Sequence, residues 1–551
     1  MHQGYIEPHA CVADTSEDGK IHIHCSSQGQ FMVRQFCARV LDVEISNITV
    51  VPAEIGGGFG GKTTVYLEPT AALLSRKTGK PVKMVMSRTE VFRASGPTSG
   101  GATKIKIGAK KDGTITAAEA DLAYQAGAFP GSPIGPGCMC AFAPYNIENV
   151  NVVGYDVVVN RPKVAAYRAP GAPISEFGVE CVLDEIADKL GIDAIELREK
   201  NAATQGTKAA YGPTFGPIGF KDTLKAAKNH PHYSAPLGKN QGRGLASGFW
   251  FNIGGDSSAS VHINEDGTAT VMEGNPDIGG SRASLAMMAA EVLGIDYDKV
   301  RITVADTSSV GYNFLTGGSR VTFASGKAVI EAAKGAISEL CARAAKIWEI
   351  DVDAVEWVDG EARPAGPNAG DFEPLPLSTI AGASGKTGGP IGGHASLNVK
   401  GAGPGFGTHI CDVEVDPETG RVSVIRYTAI QDVGRAVHPS YVEGQLQGGV
   451  AQGVGWALNE EYFITDDGTM ANSSLLDYRM PTTLDMPMID TMIIEVPNPR
   501  HPFGLRAVGE TVIVPPLGAI ANAVSHAIGK RMTSLPMTPA VILESISSLN
   551  S

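Results

Sequence analysis

Isoleucines and a cysteine alternate with histidines in IHIHC, residues 21–25, the period-2 pattern of a half-buried strand. Behind it, QFMVRQFCARVL (30–41) carries apolar residues at helical spacing, and ISNITVVPAE reads as another strand that runs into the glycines of EIGGGFGGK (54–62). The spacing then predicts a helix over 63–79 and a strand in PVKMVMS. Longer alternation over 104–129 predicts a hairpin turning at Asp112 and Gly113. ISEFGVECVLDEIADKLG (174–191) has the pattern of a second helix.

Residues 229–244, NHPHYSAPLGKNQGRG, are polar and rich in turn formers, as a linker would be. Beyond them the same grammar starts again. A hairpin is predicted around Asp266 and Gly267, a glycine turn enters a helix over 279–294, and a third hairpin turns at Glu418, Thr419 and Gly420. After Pro515 and Pro516 apolar residues recur at helical spacing up to Gly529, a helix stop. The expected fold class is α+β in two similar lobes, residues 1–235 and 236–551, with the glycine-rich turns facing a common cleft.

A chain of 551 residues can bury large cores. Its net charge of −13, with no run rich in Lys or Arg, argues against nucleic acid as a partner and for a small molecule or a protein. The eight cysteines are scattered and show no iron–sulfur or zinc spacing, which suits a reducing, cytoplasmic location. No apolar run approaches the length of a membrane span, and MHQGYIEPHA lacks the features of a signal peptide.

Two stretches carry candidate chemistry. Gly56, Gly61, Lys62 and Thr63 match the spacing of a phosphate loop, so an NTPase is one reading, although no downstream apolar strand ends in a magnesium-binding Asp. In HPFGLRAVGE (501–510), Glu510 follows Ala507, Val508 and Gly509. If that loop is buried, the carboxylate is pushed toward the pKa range useful for proton transfer, unless Arg506 cancels the effect. Taken alone, an acid near a turn is more often solvated or capping. Glycine-rich turns also recur at AYRAPGAP, DIGGSRAS, TGGSR and GQLQGGVAQGVG, as if several loops closed on one elongated cofactor.

In order, SSQGQF, EIGGGFGGK, AYRAPGAP, DIGGS, TGGSR, DVEVDPETGRV, QDVGRAVHP, GQLQGGVAQGVG and HPFGLRAVGE resemble the molybdenum-binding subunit of the xanthine dehydrogenase and aldehyde oxidase family, over nearly the whole chain. The resemblance implies a two-lobed molybdopterin-binding subunit. Its cofactor would be a molybdenum–pterin, in the cytosine dinucleotide form, with the metal held by the pterin dithiolene and by no protein side chain. Gln28 matches the glutamine beside the metal's apical oxygen, Phe59 a backbone N–H near it, Arg168 the molybdenum-loop arginine, and Gln445 a pterin-binding glutamine. Gly58, Gly60, Ala169, Gly279, Gly280, Ser281, Gly318 and Ser319 fall at cofactor-binding positions, and Glu510 at the catalytic glutamate. The implied reaction is hydroxylation of an N-heteroaromatic compound or aldehyde with oxygen from water. Electrons would leave through iron–sulfur clusters and FAD on partner subunits, in a dimer of heteromers; the N-terminal portion that the family usually carries would be supplied by a further chain, or the sequence is a fragment.

Some positions depart from the family. Thr63 stands where purine-oxidising members carry a substrate-binding glutamate and Pro170 where animal enzymes carry a stacking phenylalanine, which puts xanthine in doubt as the substrate. Phe249 or Trp250 of SGFWFN would supply the remaining aromatic wall of the substrate pocket. Ala169 replaces the copper-binding cysteine of carbon monoxide dehydrogenases, and Gly280 a glutamine near the cofactor phosphate. The alternatives are reductive removal of an aromatic hydroxyl at the same metal, the NTPase, and a scaffold without catalysis.

Overall fold

The computed structural model describes residues 1–549. Its organisation is a β-β-α-β-α unit that occurs four times. In the first, Ala10–Thr15 pairs antiparallel with Ile21–Cys25, which pairs in parallel with Ile48–Pro52. A parallel neighbour requires a crossover, and helix Gln30–Leu41 supplies it; helix Glu68–Thr78 then returns over the sheet.

The second unit repeats this with strands Gly101–Ala109, Ile115–Gly127 and Asn149–Val158 and helices Ile134–Cys140 and Ala172–Leu190. The third has strands Gly255–Ile263, Ala269–Glu273 and Val300–Val304 with helices Ser281–Leu293 and Val321–Trp348. The fourth has strands Gly405–Val415, Val422–Asp432 and Ile489–Ile494 with helices Pro439–Leu458 and Pro515–Ile528. Val82–Val85, Ile391–Val399 and Gln241–Trp250 add an antiparallel edge to the first, third and fourth sheets. A small sheet of Val355–Val358, Glu361–Pro364 and Leu375–Pro376 stands apart.

The shared topology explains where the motifs fall. In each unit the chain leaves its second and third strands into a loop that leads to a helix. SSQG, DIGG and VGRAVH occupy the loop after the second strand, and EIGGGFGGK, AYRAPG, TGGSR and HPFGLRAVGE the loop after the third.

The units pair across the sequence. The first docks on the third: Val50 and Thr307 exchange hydrogen bonds, and Gln30 Nε2 donates to Gly274 O and Ala305 O at 2.8 and 2.9 Å. The second shares one core with the fourth, in which Leu122, Tyr145 and Phe220 pack with Phe249, Phe406 and Ile513. Two acids of helix Ala172–Leu190 bind that joint, Glu180 accepting from Ser247 N and Glu176 from Phe249 N.

The hairpins lie where alternation predicts them, and helix Pro515–Ile528 ends at Gly529, whose φ of 71° is the left-handed stop that glycine favours. Three expectations change. The helix predicted over 63–79 begins only at Glu68, so residues 53–67 are loop. Residues 229–244 are not a free tether: His232 is buried against Thr428, Arg243 forks onto Asp412 at 2.8 and 2.7 Å, and a strand starts at Gln241. These side chains bond to residues of the neighbouring sheet, which ties the segment down. Finally, Thr511–Ile528 is long and apolar enough to cross a membrane, but 83% of it is buried inside the protein, as a core helix would be.

That helix sits against strand Gln241–Trp250 through glycines. A Cβ on Gly244 would coincide with the backbone of Ala519 and Ala523. Gly244→Ala is therefore expected to lower stability by about 1–3 kcal/mol or more, measured by denaturant unfolding; an unchanged midpoint would mean that the helix can back away.

Candidate active site

The loop 501–510 has no secondary structure to satisfy its backbone, and buried side chains from elsewhere do so instead. Leu505 O accepts from Asn498 Nδ2 at 3.3 Å, Ala507 O from Asn252 Nδ2 at 3.0 Å and Val508 O from Gln431 Nε2 at 3.2 Å. Gly509 O accepts from Arg168 Nε. Arg506 N donates to Val433 O at 2.8 Å, and its guanidinium turns away from the loop's end to lie 3.0 Å from Asp432, both groups buried. Arg506 thus does not neutralise Glu510.

The Glu510 carboxylate receives one donor on each oxygen. Ala169 N–H reaches Oε1 at 2.9 Å and Ser319 Oγ–H reaches Oε2 at 2.8 Å. Burial pushes its pKa above the usual carboxylate range, opposed by the Ala169 and Ser319 hydrogen bonds, the Arg168 charge and the Trp250 indole. The indole Nε1 is buried and makes no full hydrogen bond of its own.

Three of the loops that follow a third strand carry a non-glycine residue in the left-handed region: Phe59, Ala169 and Ser319 have φ of 51°, 55° and 57°, and Asn252 beside them 49°. Such conformations cost on the order of 1–3 kcal/mol each and persist where the surroundings determine them. Here the surroundings are one another. Phe59 O accepts from Arg168 N, Arg168 holds Gly509, and Ala169 and Ser319 hold Glu510.

A cavity of ≈ 640 Å³ lies where the loops meet, mostly apolar, with Glu510 in its wall. Gln28, Phe59, Gly60, Arg168, Gly279, Ser281, Gly318, Ser319 and Gln445 all line it, as do Thr63, Pro170 and Trp250. Gln28 Oε1 accepts from the N–H groups of Gly60 and Lys62, and its Nε2 donates to Thr316 O, which orients the amide at the cavity edge. Gly58 packs behind that amide, and Gly280 caps helix Ser281–Leu293 against the Tyr441 ring. Ala169 contributes its N–H from just outside the lining. Phe249 belongs elsewhere: strand alternation turns it into the core with Tyr211, Phe215 and Phe406, and presents Trp250 to the cavity instead.

Comparison with known proteins shows the family. Two models described as molybdopterin cofactor-binding domain match residues 1–202 and 218–487. The chain belongs to the molybdenum hydroxylase family. It is 29% identical to a xanthine dehydrogenase molybdenum-binding subunit of Escherichia coli O157:H7, over 98% of this chain and 75% of that protein. It is 30% identical to the aldehyde oxidoreductase of Megalodesulfovibrio gigas, over 98% of this chain and 59% of that one. The quinoline 2-oxidoreductase of Pseudomonas putida 86 has the same fold, with a TM-score of 0.89 at 24% identity, covering 99% of this chain and 75% of that one.

The residues present fit the molybdenum–pterin group of such hydroxylases. Incompletely bonded donors and close backbone approach are what an oxygen-rich planar ligand requires: the buried Trp250 N–H faces Glu510 without a full hydrogen bond, and a side chain at Gly60 would collide with Ala166 O, so backbone alone forms that wall. The phosphate-loop reading does not survive. Lys62 Nζ is buried 2.5 Å from Glu7 and over the Tyr5 ring, outside the cavity, and no helix begins until Glu68, so the loop lacks both the free lysine and the helix N-terminus that a phosphate needs.

Sequence reasoning did not find Asn252, Gln431, Gln452 or Asn498. Gln452 had a signal: it lies seven residues after Gln445 on helix Pro439–Leu458, two turns along one face, and both glutamines accept from Arg168. Arg168→Lys should release the loop, because a lysine cannot reach Gly509, Gln445 and Gln452 together. Hydrogen exchange across 505–513 is expected to quicken roughly tenfold to a hundredfold, the loss of about 1–3 kcal/mol of satisfied buried groups. Exchange at the wild-type rate would contradict the clamp.

Proposed function

We propose that this chain is the catalytic molybdenum subunit of an oxidoreductase that hydroxylates a neutral N-heteroaromatic compound or aldehyde. Water supplies the oxygen, and iron–sulfur and flavin partner subunits carry the electrons away. The observation that carries the reading is the Glu510 carboxylate, buried in a cavity wall between two donors. Loops from residues 1–235 and from residues 236–551 both line that cavity.

When bound, the molybdenum–pterin supplies a Lewis-acidic, redox-active centre. Gln28, Gln445 and the backbone of 57–60 and 317–319 would hold it, and Ser281 and Ser284 at a helix N-terminus would supply donors to an anionic group of its cytosine dinucleotide form. Glu510 then takes a proton at the reacting end. Apolar walls of Ile55, Pro136, Pro170, Trp250 and Phe251 exclude water there.

The same walls favour a neutral substrate. Arg168 is spent on Gly509, Gln445 and Gln452, Arg320 on the carbonyls of Gly254, Asp256 and Phe314, and Arg506 on Asp432. None of these three is left to hold a carboxylate or a urate-like anion near Glu510, and the fourth arginine of the lining, Arg435, is exposed. With the purified complex, neutral azaheterocycles and aldehydes are expected to reduce the enzyme and their anionic analogues not to; the reverse preference would overturn this substrate class.

Glu510→Gln keeps the shape and both neighbouring contacts but removes the base. Stoichiometric molybdenum should remain while kcat/KM falls about 10²–10⁴-fold. Because burial raises the folded pKa of Glu510 above its unfolded value, its contribution to stability is present below the unfolded value and is lost as pH rises through the folded one. The Gln variant should therefore unfold at the same or a higher temperature near neutral pH. Loss of the cofactor or of the fold in Glu510→Gln would instead mark a structural glutamate. In the wild type, activity should fall as pH drops through the raised pKa.

A further inference from the structure

We propose that Ser319 is the positioning residue of the proton-transfer step: its hydroxyl donates to the ionised Glu510 and turns to accept from Oε2–H once the proton has been taken. The inference rests on Glu510 acting as the base. Of the groups that touch the carboxylate, Ala169 N–H and the Trp250 indole can only donate, whereas a serine hydroxyl can do either. Oε2, 2.8 Å from Ser319 Oγ, is therefore the oxygen whose protonation leaves no two hydrogens facing each other. The step balances without any further reactant. An O–H bond of the water that supplies the oxygen breaks, one forms on Oε2, and Ser319 keeps its own hydrogen, which swings toward the cavity that the residue lines.

The backbone is built to hold the hydroxyl there. Ser319 sits at φ 57° in TGGSR, and the next residue, Arg320, is fully buried with its guanidinium bonded to Gly254 O, Asp256 O and Phe314 O. The turn cannot relax without breaking those bonds. The other strained donor, Ala169, approaches Oε1 from the opposite loop.

The remaining ionisable groups that face Glu510 do not change with its charge. Arg168 stays a cation, occupied by Gly509, Gln445 and Gln452, even though burial lowers its pKa to about 10. Cys140, on helix Ile134–Cys140, is buried, which pushes its thiol well above the usual range and keeps it neutral.

The test compares Ser319→Ala, Ser319→Gly and Ser319→Cys in the assembled molybdenum enzyme. Glycine accepts the positive φ without strain and so removes the hydroxyl even if the alanine variant folds poorly. Two readouts are needed. One is the acid limb of the kcat/KM profile. The other is the pH titration of the Glu510 carboxyl stretch by difference infrared, assigned with Glu510→Gln and repeated on the chain without cofactor. For Ala and Gly both readouts should move to higher pH by about one unit, the effect of one lost hydrogen bond to the charged form, with the weakly donating thiol of Cys in between. Wild-type titrations in both Ala and Gly would overturn the inference. If Glu510→Gln proves active, the base reading itself fails; if it is inactive while the Ser319 variants titrate normally, only Ser319's role does.

Discussion

The hydrogen bonds that tie the Glu510 carboxylate to Ala169 and Ser319 join three loops from three repeated units, and most of the site's geometry depends on them. A loop of this kind carries a peptide group per residue that neither helix nor sheet satisfies, and each one buried unpaired would cost about 1–3 kcal/mol. Asn252, Gln431, Asn498 and Arg168 meet that need for residues 505–509. The same bonds leave the acid little freedom to point anywhere but into the cavity.

Two opposing effects set what the acid can do. An ionised carboxylate removed from water is disfavoured by several kcal/mol, while each hydrogen bond to the charged form returns about 1.5–3. Two donors and the nearby Arg168 hold the balance close, and burial still wins, so the pKa lies above that of a solvated glutamate. Had Arg506 turned inward, a direct ion pair would have kept the group ionised and weakened it as a base. Asp432 draws that arginine away. The glycines serve the same end by another route, since at Gly60 backbone must come closer than any side chain allows.

Much of this was legible in the sequence and some was not, for physical reasons. Hairpins and amphipathic helices announce themselves by period, whereas the apolar neighbours of Glu510 only raised the possibility that the ordered motifs then singled out. The fourfold repetition did not, because the crossover helices run from 7 residues at Ile134–Cys140 to 20 at Pro439–Leu458, and the loops between share topology rather than sequence. Phe249 and Trp250 were indistinguishable until the face of their strand was known. Phe59, Ala169 and Ser319 give no sign of positive φ in their residue type, since tertiary contacts impose it. The phosphate-loop spacing of Gly56 to Thr63 was a true match to a pattern but not to a site, because Lys62 finds Glu7 first.

The most direct measurement is a structure of the assembled enzyme with its molybdenum–pterin in place. The metal centre is expected within hydrogen-bonding reach of the Glu510 carboxylate, with Gln28 and Gln445 against the cofactor and residues 505–510 in their present conformation. A metal centre distant from residue 510, or a Glu510 side chain turned out into a surface ion pair, would contradict this expectation.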